Sequence, residues 1–358
     1  MLKINNQNAY NGVSHLGLGF MRMGPDDSLN SKLIKQYIEV GGNYFETCRF
    51  YLDRKCEGIV TNLLKPYNRK DYNLCGKLAI NGFLPRTSAA KNFQEQLIIH
   101  NTDYFDFYLI QAVNRSNIQT ILDYKVIDYL DWKKQQGYIR NLGFSFHDNP
   151  ILFEKMLSLY SWDCVQIQLN FLDYFNGVAK ELYEIAERYN IPVSVMCATK
   201  GTLLGEDFPN IENVDKQQLR RKALIFLKQL DNCKLILRDV QNQEWMDENL
   251  EIFDESFQGK VDLLELENIA KEYKKHQLIQ CTGCGYCLDK CPNHIDIREI
   301  FQEYNKAMTT EDKDYYLTFA HKKNSYMSCT RCGSCLSSCP QQLNIPELFS
   351  TVNFNFRY

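Results

Sequence analysis

Eight of the chain's fourteen cysteines lie beyond Gln280, in two blocks of four. Cys281, Cys284, Cys287 and Cys291 follow C-x2-C-x2-C-x3-C with Pro292 next; Cys329, Cys332, Cys335 and Cys339 repeat the spacing with Pro340 next. Three closely spaced thiolates can wrap three corners of an iron–sulfur cube, with a remote thiolate on the fourth, and the proline turns the chain after the last ligand. A structural zinc ion needs one tetrahedral set of four and has no use for a doubled triplet. A redox C-x-x-C pair should open a helix inside a βαβ unit, which this region lacks. The spacing therefore predicts two [4Fe-4S] clusters. The other six cysteines (Cys48, Cys56, Cys75, Cys164, Cys197, Cys233) fall mostly on predicted strands and read as small buried hydrophobes.

The rest of the chain must position this chemistry. Of 358 residues, 44% are hydrophobic and 24% charged, an ordinary globular composition that excludes disorder, collagen-like repeats and coiled coil. No apolar run approaches the ~18 residues of a membrane span. The polar start MLKINNQNAYNG lacks the apolar core of a signal peptide, so a cytoplasmic protein is expected. The net charge is −3. Short basic runs such as Arg220–Lys222 and Lys274–Lys275 read as solvated helix faces, so neither nucleic acid nor a membrane is expected as a partner.

Between residues 14 and 255 two patterns alternate. Runs rich in aromatic and β-branched residues predict strands at 14–20, 43–48, 72–79, 106–113, 139–146, 164–170, 192–198 and 233–240. Apolar residues at i, i+3 and i+4 predict helices near 29–41, 54–66, 88–100, 119–136, 149–160, 176–189, 216–230 and 243–255. Eight such βα units predict a (β/α)8 TIM barrel, an α/β fold. A doubly wound sheet would want a glycine-rich turn after its first strand, but Gly17-Leu18-Gly19-Phe20-Met21-Arg22 places arginine where G-x-G-x-x-G needs its last glycine. The expected division is a barrel at 1–255, a linker and amphipathic helix at 256–280, and a two-cluster domain at 281–358.

The C-terminal domain carries an internal repeat offset by 48 residues, CTGCGYCLDKCPNHIDI and CTRCGSCLSSCPQQLNI, and the stretches IDIREIFQEYNKAM and DKDYYLTFAHKK between the blocks read as helical. It resembles the mainly helical ferredoxin modules fused to larger redox enzymes. In two-cluster ferredoxins the fourth cysteine ligates the other cluster. The resemblance thus implies one cluster on Cys281, Cys284, Cys287 and Cys339, and another on Cys329, Cys332, Cys335 and Cys291.

The barrel segments LGLGFMRM, GGNYFETCRFY, CGKLA, FDFYLIQ, GYIRNLGFSFHDN and VQIQLN, followed by CTGCGYCLDKCP, resemble in order the aldo/keto reductase family, in particular its bacterial branch with a C-terminal ferredoxin module. Carbonyl reduction needs a hydride donor and a proton donor, and a tyrosine hydroxyl is a weak acid unless a cation favours its anion. The resemblance implies that Tyr51 is the acid and that Lys77 lowers its pKa. Glu46, where the family carries aspartate, would orient Lys77. Gln111 stands where the family carries histidine; an amide can bind a substrate oxygen but cannot shuttle a proton. All four fall at predicted strand ends, where barrel active sites sit. His147, just beyond the fifth strand, reads as a surface-loop histidine.

For NADPH or NADH, Ser145 and Gln166 match the positions that hold the carboxamide, and Asn242, Glu244 and Asn249 match the pattern after the eighth strand. Two segments depart from the family: MCATKG replaces a proline-containing stretch, and Asp239 replaces a glycine of the phosphate turn. A carboxylate beside a pyrophosphate is repulsive unless it faces away, and Arg238 is the residue to offset it. Nicotinamide passes two electrons and iron–sulfur clusters one, a gap that a flavin usually bridges; no flavin fingerprint is present, and a flavin bound without one stays compatible with the chain. The expected function is an oxidoreductase acting on a small carbonyl or alcohol, with a redox protein as electron partner. The alternatives are an electron-transfer or scaffold protein whose barrel has lost nicotinamide-dependent catalysis, and a module whose clusters only staple the C-terminus.

Overall fold

The computed structural model describes the chain except residues 5–7, 81–85, 202, 206, 207, 210, 240, 277, 278, 282, 284, 310–325, 340 and 356–358. Packing divides it into two compact units: residues 1–198 with 220–262, and residues 199–219 with 263–358.

The first unit is a closed barrel of eight parallel strands in sequential order. The strands are β1 (Leu16–Gly19), β2 (Tyr44–Glu46), β3 (Asn73–Ala79), β4 (Phe105–Val113), β5 (Ile139–Phe146), β6 (Cys164–Gln168), β7 (Val193–Met196) and β8 (Cys233–Asp239). Each lies within about two residues of its predicted run. The helices start where polar caps allow. Asp26 accepts from the Ser28 and Leu29 amides at the head of Asp27–Glu39. Asn149 caps Pro150–Ser158, with proline at the first helical position. Two predicted helices differ from expectation. The 119–136 stretch is two helices, Ile118–Asp123 and Val126–Gln135, because Lys125 adopts a left-handed φ of 52°. The helix predicted at 176–189 is Ala179–Arg188, preceded by a separate short helix, Phe171–Asn176.

Strand alternation decides what the barrel interior contains. Tyr44, Cys75, Phe107, Leu109, Cys164, Leu235 and Leu237 pack together inside, closed by Tyr10 and Val13 near the N-terminus. Tyr10 stacks on Phe107 at 4.9 Å between ring centroids. Two residues further along the same faces come Glu46, Lys77, Gln111, Gln166 and Asp239, and Ser145 pairs in register with Gln166. Gly143 permits the close β5–β6 approach, since a Cβ there would lie 2.4 Å from the Cys164 carbonyl oxygen. Five of the six scattered cysteines are buried, as expected of small hydrophobes, and Cys197 is half-buried.

In the second unit, helices Leu263–His276, Ile297–Thr309 and Ile345–Asn355 accompany the cysteine blocks. Ile295, Ile297, Phe301, Tyr304, Ile345 and Phe349 are among its core residues. The helix predicted at DKDYYLTFAHKK lies outside the described residues. No helix among the described residues is long and apolar enough to cross a membrane.

Candidate active site and iron–sulfur centre

Of the barrel residues singled out by sequence, Glu46, Lys77, Gln166 and Tyr51 meet at the C-terminal ends of β2, β3 and β6. Lys77 Nζ lies 2.7 Å from Glu46 Oε1 and donates to Gln166 Oε1 at 2.7 Å and to the Tyr51 hydroxyl at 3.2 Å. Gln166 Nε2 donates to Glu46 Oε2 at 2.5 Å, closing a triangle of three buried side chains. The longer glutamate thus holds the ammonium. Tyr51 opens a tight turn, Tyr51–Arg54, in which Leu52 and Arg54 take left-handed φ values of 51° and 68°.

Burial alone would lower Lys77, but the Glu46 carboxylate outweighs it and holds the ammonium above the ordinary lysine range. The Tyr51 hydroxyl is pushed well above its usual value, first by burial and then by Glu46. Burial and the Glu46 carboxylate thus keep the tyrosine protonated, as a proton donor must be.

Gln111 is buried on β4 and accepts a hydrogen bond from the Cys48 thiol at 2.9 Å. His147 is not a surface-loop residue: it is buried, and burial, with Lys77 second, lowers its imidazole to about 3. Ser145 Oγ accepts the Ala112 N–H at 2.7 Å, which leaves its O–H to donate. Both ends of the Gln166 amide, by contrast, are engaged by Lys77 and Glu46. Ser145 therefore fits a carboxamide, while Gln166 fits the lysine network.

The residues around β8 separate by face. Arg238 lies on the helix side, donates to Asn249 Oδ1 at 3.2 Å, and is lowered by burial to about 10. Asn242 caps the helix Gln243–Ile252 through the Trp245 amide. Asp239 pairs with Arg22 at 3.7 Å, so the residue that offsets it at contact distance is Arg22, in the loop after β1. Burial nonetheless raises its carboxyl above the usual range. Composition and motif reading missed Arg22, Cys48 and a buried pair behind Lys77. In that pair Gln96 donates to the Lys77 carbonyl at 3.0 Å and to Glu57 at 2.5 Å, and accepts from the Tyr108 hydroxyl. A glutamate on the inward face of the 54–66 helical pattern was the available signal.

In the second unit the sequence repeat is also a backbone repeat. Gly285 and Gly333 have φ of 79° and 77°, and His294 and Gln342 have φ of 51° and 54°. Gly283 N–H points at Cys281 Sγ at 3.5 Å, and Arg331 N–H at Cys329 Sγ at 3.4 Å. Two cavities result. One is lined by Cys291, Cys329, Cys332 and Cys335. The other is lined by Cys281, Cys287 and Cys339. Cys284 lies outside the described residues. The first cavity thus gathers the triplet of the second half with the last cysteine of the first, and the second cavity gathers Cys281 and Cys287 with the last cysteine of the second half, donor sets that fit iron–sulfur clusters. Among the described residues no three metal-ligating side chains converge on a point for a single ion. Burial, aided by neighbouring thiols, pushes Cys335 up to about 11, and Cys339 also rises, so the charge of bound iron is what would ionise them.

A closed parallel barrel with a lysine–carboxylate–tyrosine network at its strand ends, joined to a double-cysteine module, defines a redox-enzyme class. The aldo/keto reductase family model matches residues 15–280 and a 4Fe-4S dicluster domain matches residues 280–345. The chain belongs to the aldo/keto reductase family and carries a 4Fe-4S dicluster domain, which supports bound iron–sulfur clusters. No curated protein matches it. Among solved structures it is similar to an aldo-keto reductase from Bacillus halodurans in its holo form (20% identity, 73% of this chain and 92% of that one, TM-score 0.59). It is also similar to an aldo-keto reductase from Klebsiella pneumoniae in complex with NADPH (18% identity, 76% and 96%, TM-score 0.60). A thermostable aldo-keto reductase in complex with the inhibitor epalrestat gives 22% identity, 76% and 100% coverage, and a TM-score of 0.60.

Proposed function

We propose that the barrel is an NAD(P)H-dependent oxidoreductase that interconverts a small carbonyl and its alcohol, and that the C-terminal module exchanges electrons with a redox protein through two [4Fe-4S] clusters. The observation that carries the first part is the contact of Lys77 Nζ with the Tyr51 hydroxyl at 3.2 Å inside a closed Glu46–Gln166 network. When bound, nicotinamide supplies the hydride and the clusters supply single-electron transfer. Tyr51 O–H gives the proton to the substrate oxygen, and Lys77 N–H stabilises the phenolate left behind. Glu46 and Gln166 fix the ammonium against Tyr51. Gln111 offers an N–H to the substrate oxygen, and Ser145 a hydroxyl to the carboxamide. Cys281, Cys284, Cys287 and Cys339 would hold one cluster, and Cys329, Cys332, Cys335 and Cys291 the other. A flavin or similar carrier would be required only if electrons pass between nicotinamide and the clusters, since it accepts two and releases them singly.

One observation favours a second reading, an electron-transfer protein with the barrel as scaffold: Asp239 sets a carboxylate where the family cradles phosphates. An anaerobic titration of the cluster-loaded chain with NADPH separates the two. Binding, followed by carbonyl reduction that Tyr51→Phe lowers at least a hundredfold, supports the enzyme. Unchanged turnover in Tyr51→Phe removes the acid assignment, and absence of NADPH binding favours the scaffold.

A further inference from the structure

The mechanism above gives Gln111 an N–H to donate, but an amide can present either end. What surrounds it decides the matter. Cys48, wholly buried, lies two residues beyond β2 and donates to Gln111 Oε1 at 2.9 Å. The Phe50 backbone amide lies close to the same sulfur. Burial pushes the thiol up to about 12, so it stays protonated and keeps its S–H to give away. With Oε1 taken, the amide cannot invert without losing that bond. Gln111 Nε2 has no protein partner among the described residues, and it is not one of the buried unpaired atoms, so its two N–H groups are open. The Cys48 carbonyl in turn accepts the Tyr51 N–H at 3.1 Å.

We propose that Cys48 is a positioning residue that ties the Tyr51 turn to Gln111 and fixes the Gln111 amide as a donor towards the substrate oxygen. This rests on the reading of the barrel as a carbonyl reductase. One short segment then sets both groups that address the same oxygen, the acid through the Cys48 carbonyl and the amide through its sulfur. Histidine is not needed for this task, because an amide locked by a thiol is a donor at every pH at which the fold persists.

Two measurements on the full, cluster-loaded chain test it. The first is the infrared S–H stretch, taken as the difference between wild type and Cys48→Ala. Its band should move to higher frequency in Gln111→Leu, where the acceptor is gone. The second is a kinetic cycle with NADPH and 4-nitrobenzaldehyde. Cys48→Ala should lower kcat about tenfold with little change in KM, because the donor strengthens as charge develops on the oxygen. Cys48→Ser, which keeps a donor, should recover most of the loss. In a Gln111→Ala background Cys48→Ala should cost less than twofold. An S–H band indifferent to Gln111→Leu overturns the hydrogen bond. A Cys48→Ala loss of equal size with and without Gln111 overturns the positioning role while leaving the enzyme reading intact. A wild type that reduces no aldehyde overturns that reading and the positioning role together, and the S–H band still reports the bond by itself. Should Cys48→Ala fail to fold, Cys48→Val fills the space without a donor.

Discussion

Replacing Glu46 with Gln keeps the shape of the Lys77 site and removes its countercharge. Glu46 is 4% exposed and Lys77 2%, and the pair is 2.7 Å apart. Breaking a buried pair from one side costs about 3–5 kcal/mol, because the remaining charge is stranded. For a unit of this size 1 kcal/mol moves Tm by about 2–4 °C, so a fall of roughly 6–20 °C is expected at pH 7. The pH dependence gives an independent sign. In the wild type Lys77 lies above its ordinary range, so its contribution is fully present below the unfolded value of about 10.4 and is lost as pH rises through the folded value. In Glu46→Gln burial is no longer opposed and the folded value falls below the unfolded one. The variant's stability should therefore drop as pH falls from about 10 towards 7, where the wild type stays level. The three tryptophans, Trp132, Trp162 and Trp245, all lie in the barrel unit, so anaerobic thermal melts followed by tryptophan fluorescence report on it. The double variant Glu46→Gln/Lys77→Met should recover most of the loss. A single variant that melts within about 2 °C of wild type at pH 7, or a double variant less stable than the single, refutes the argument.

Iron analysis of the reconstituted chain should give about eight irons, and Cys287→Ala or Cys335→Ala about four, with Cys339→Ala removing the same cluster as Cys287→Ala by electron paramagnetic resonance. Asp239→Gly removes the carboxylate and frees Arg22, so NADPH affinity followed by nicotinamide fluorescence should tighten on the order of tenfold. Burial lowers His15 and His100 to about 4 and His147 to about 3. Depressed folded values mean stability that is present above about pH 6.5 and lost as pH falls towards 3, so the urea midpoint should drop between pH 7 and 4, less steeply in His147→Gln.

The strands were legible as short runs rich in aromatic and β-branched residues, buried on both faces, and the order of the aldo/keto reductase segments pointed to Tyr51, Lys77 and Glu46, which the fold brings together. What escaped depends on barrel closure. Gln166 is 120 residues from Glu46 along the chain, and nothing local tells whether its amide serves a carboxamide or a lysine. Cys48 and Gln111, 63 residues apart, look like a buried hydrophobe and a polar strand end until the sheet brings them together. His147 read as a surface residue because it follows a strand, yet it is buried, and its backbone N–H extends the β4–β5 pairing to the Val113 carbonyl at 2.9 Å. The short helix Phe171–Asn176 is too brief to show a period, and its signal was Asn170, which caps it. In the second unit the repeat and its spacing were readable in the sequence, and the paired φ values at Gly285 and Gly333 and at His294 and Gln342 show that the turns repeat with it.

Residues 199–219 pack with the second unit, although they lie between β7 and β8 of the first. The chain therefore crosses from one unit to the other three times, near 198, 219 and 262. No single cut yields either unit intact. A gene truncated after the barrel would leave 199–219, including Phe208, which stacks on Tyr273 at 5.2 Å, without its packing partner. A graft of the cysteine module onto another enzyme would likewise have to carry that excursion as a separate piece. On the ribosome β8 emerges after the excursion and before its partner helices, so barrel closure and completion of the second unit are ordered in time. Recombination at one junction cannot exchange the two units, which ties their inheritance together more firmly than a tail-like fusion would.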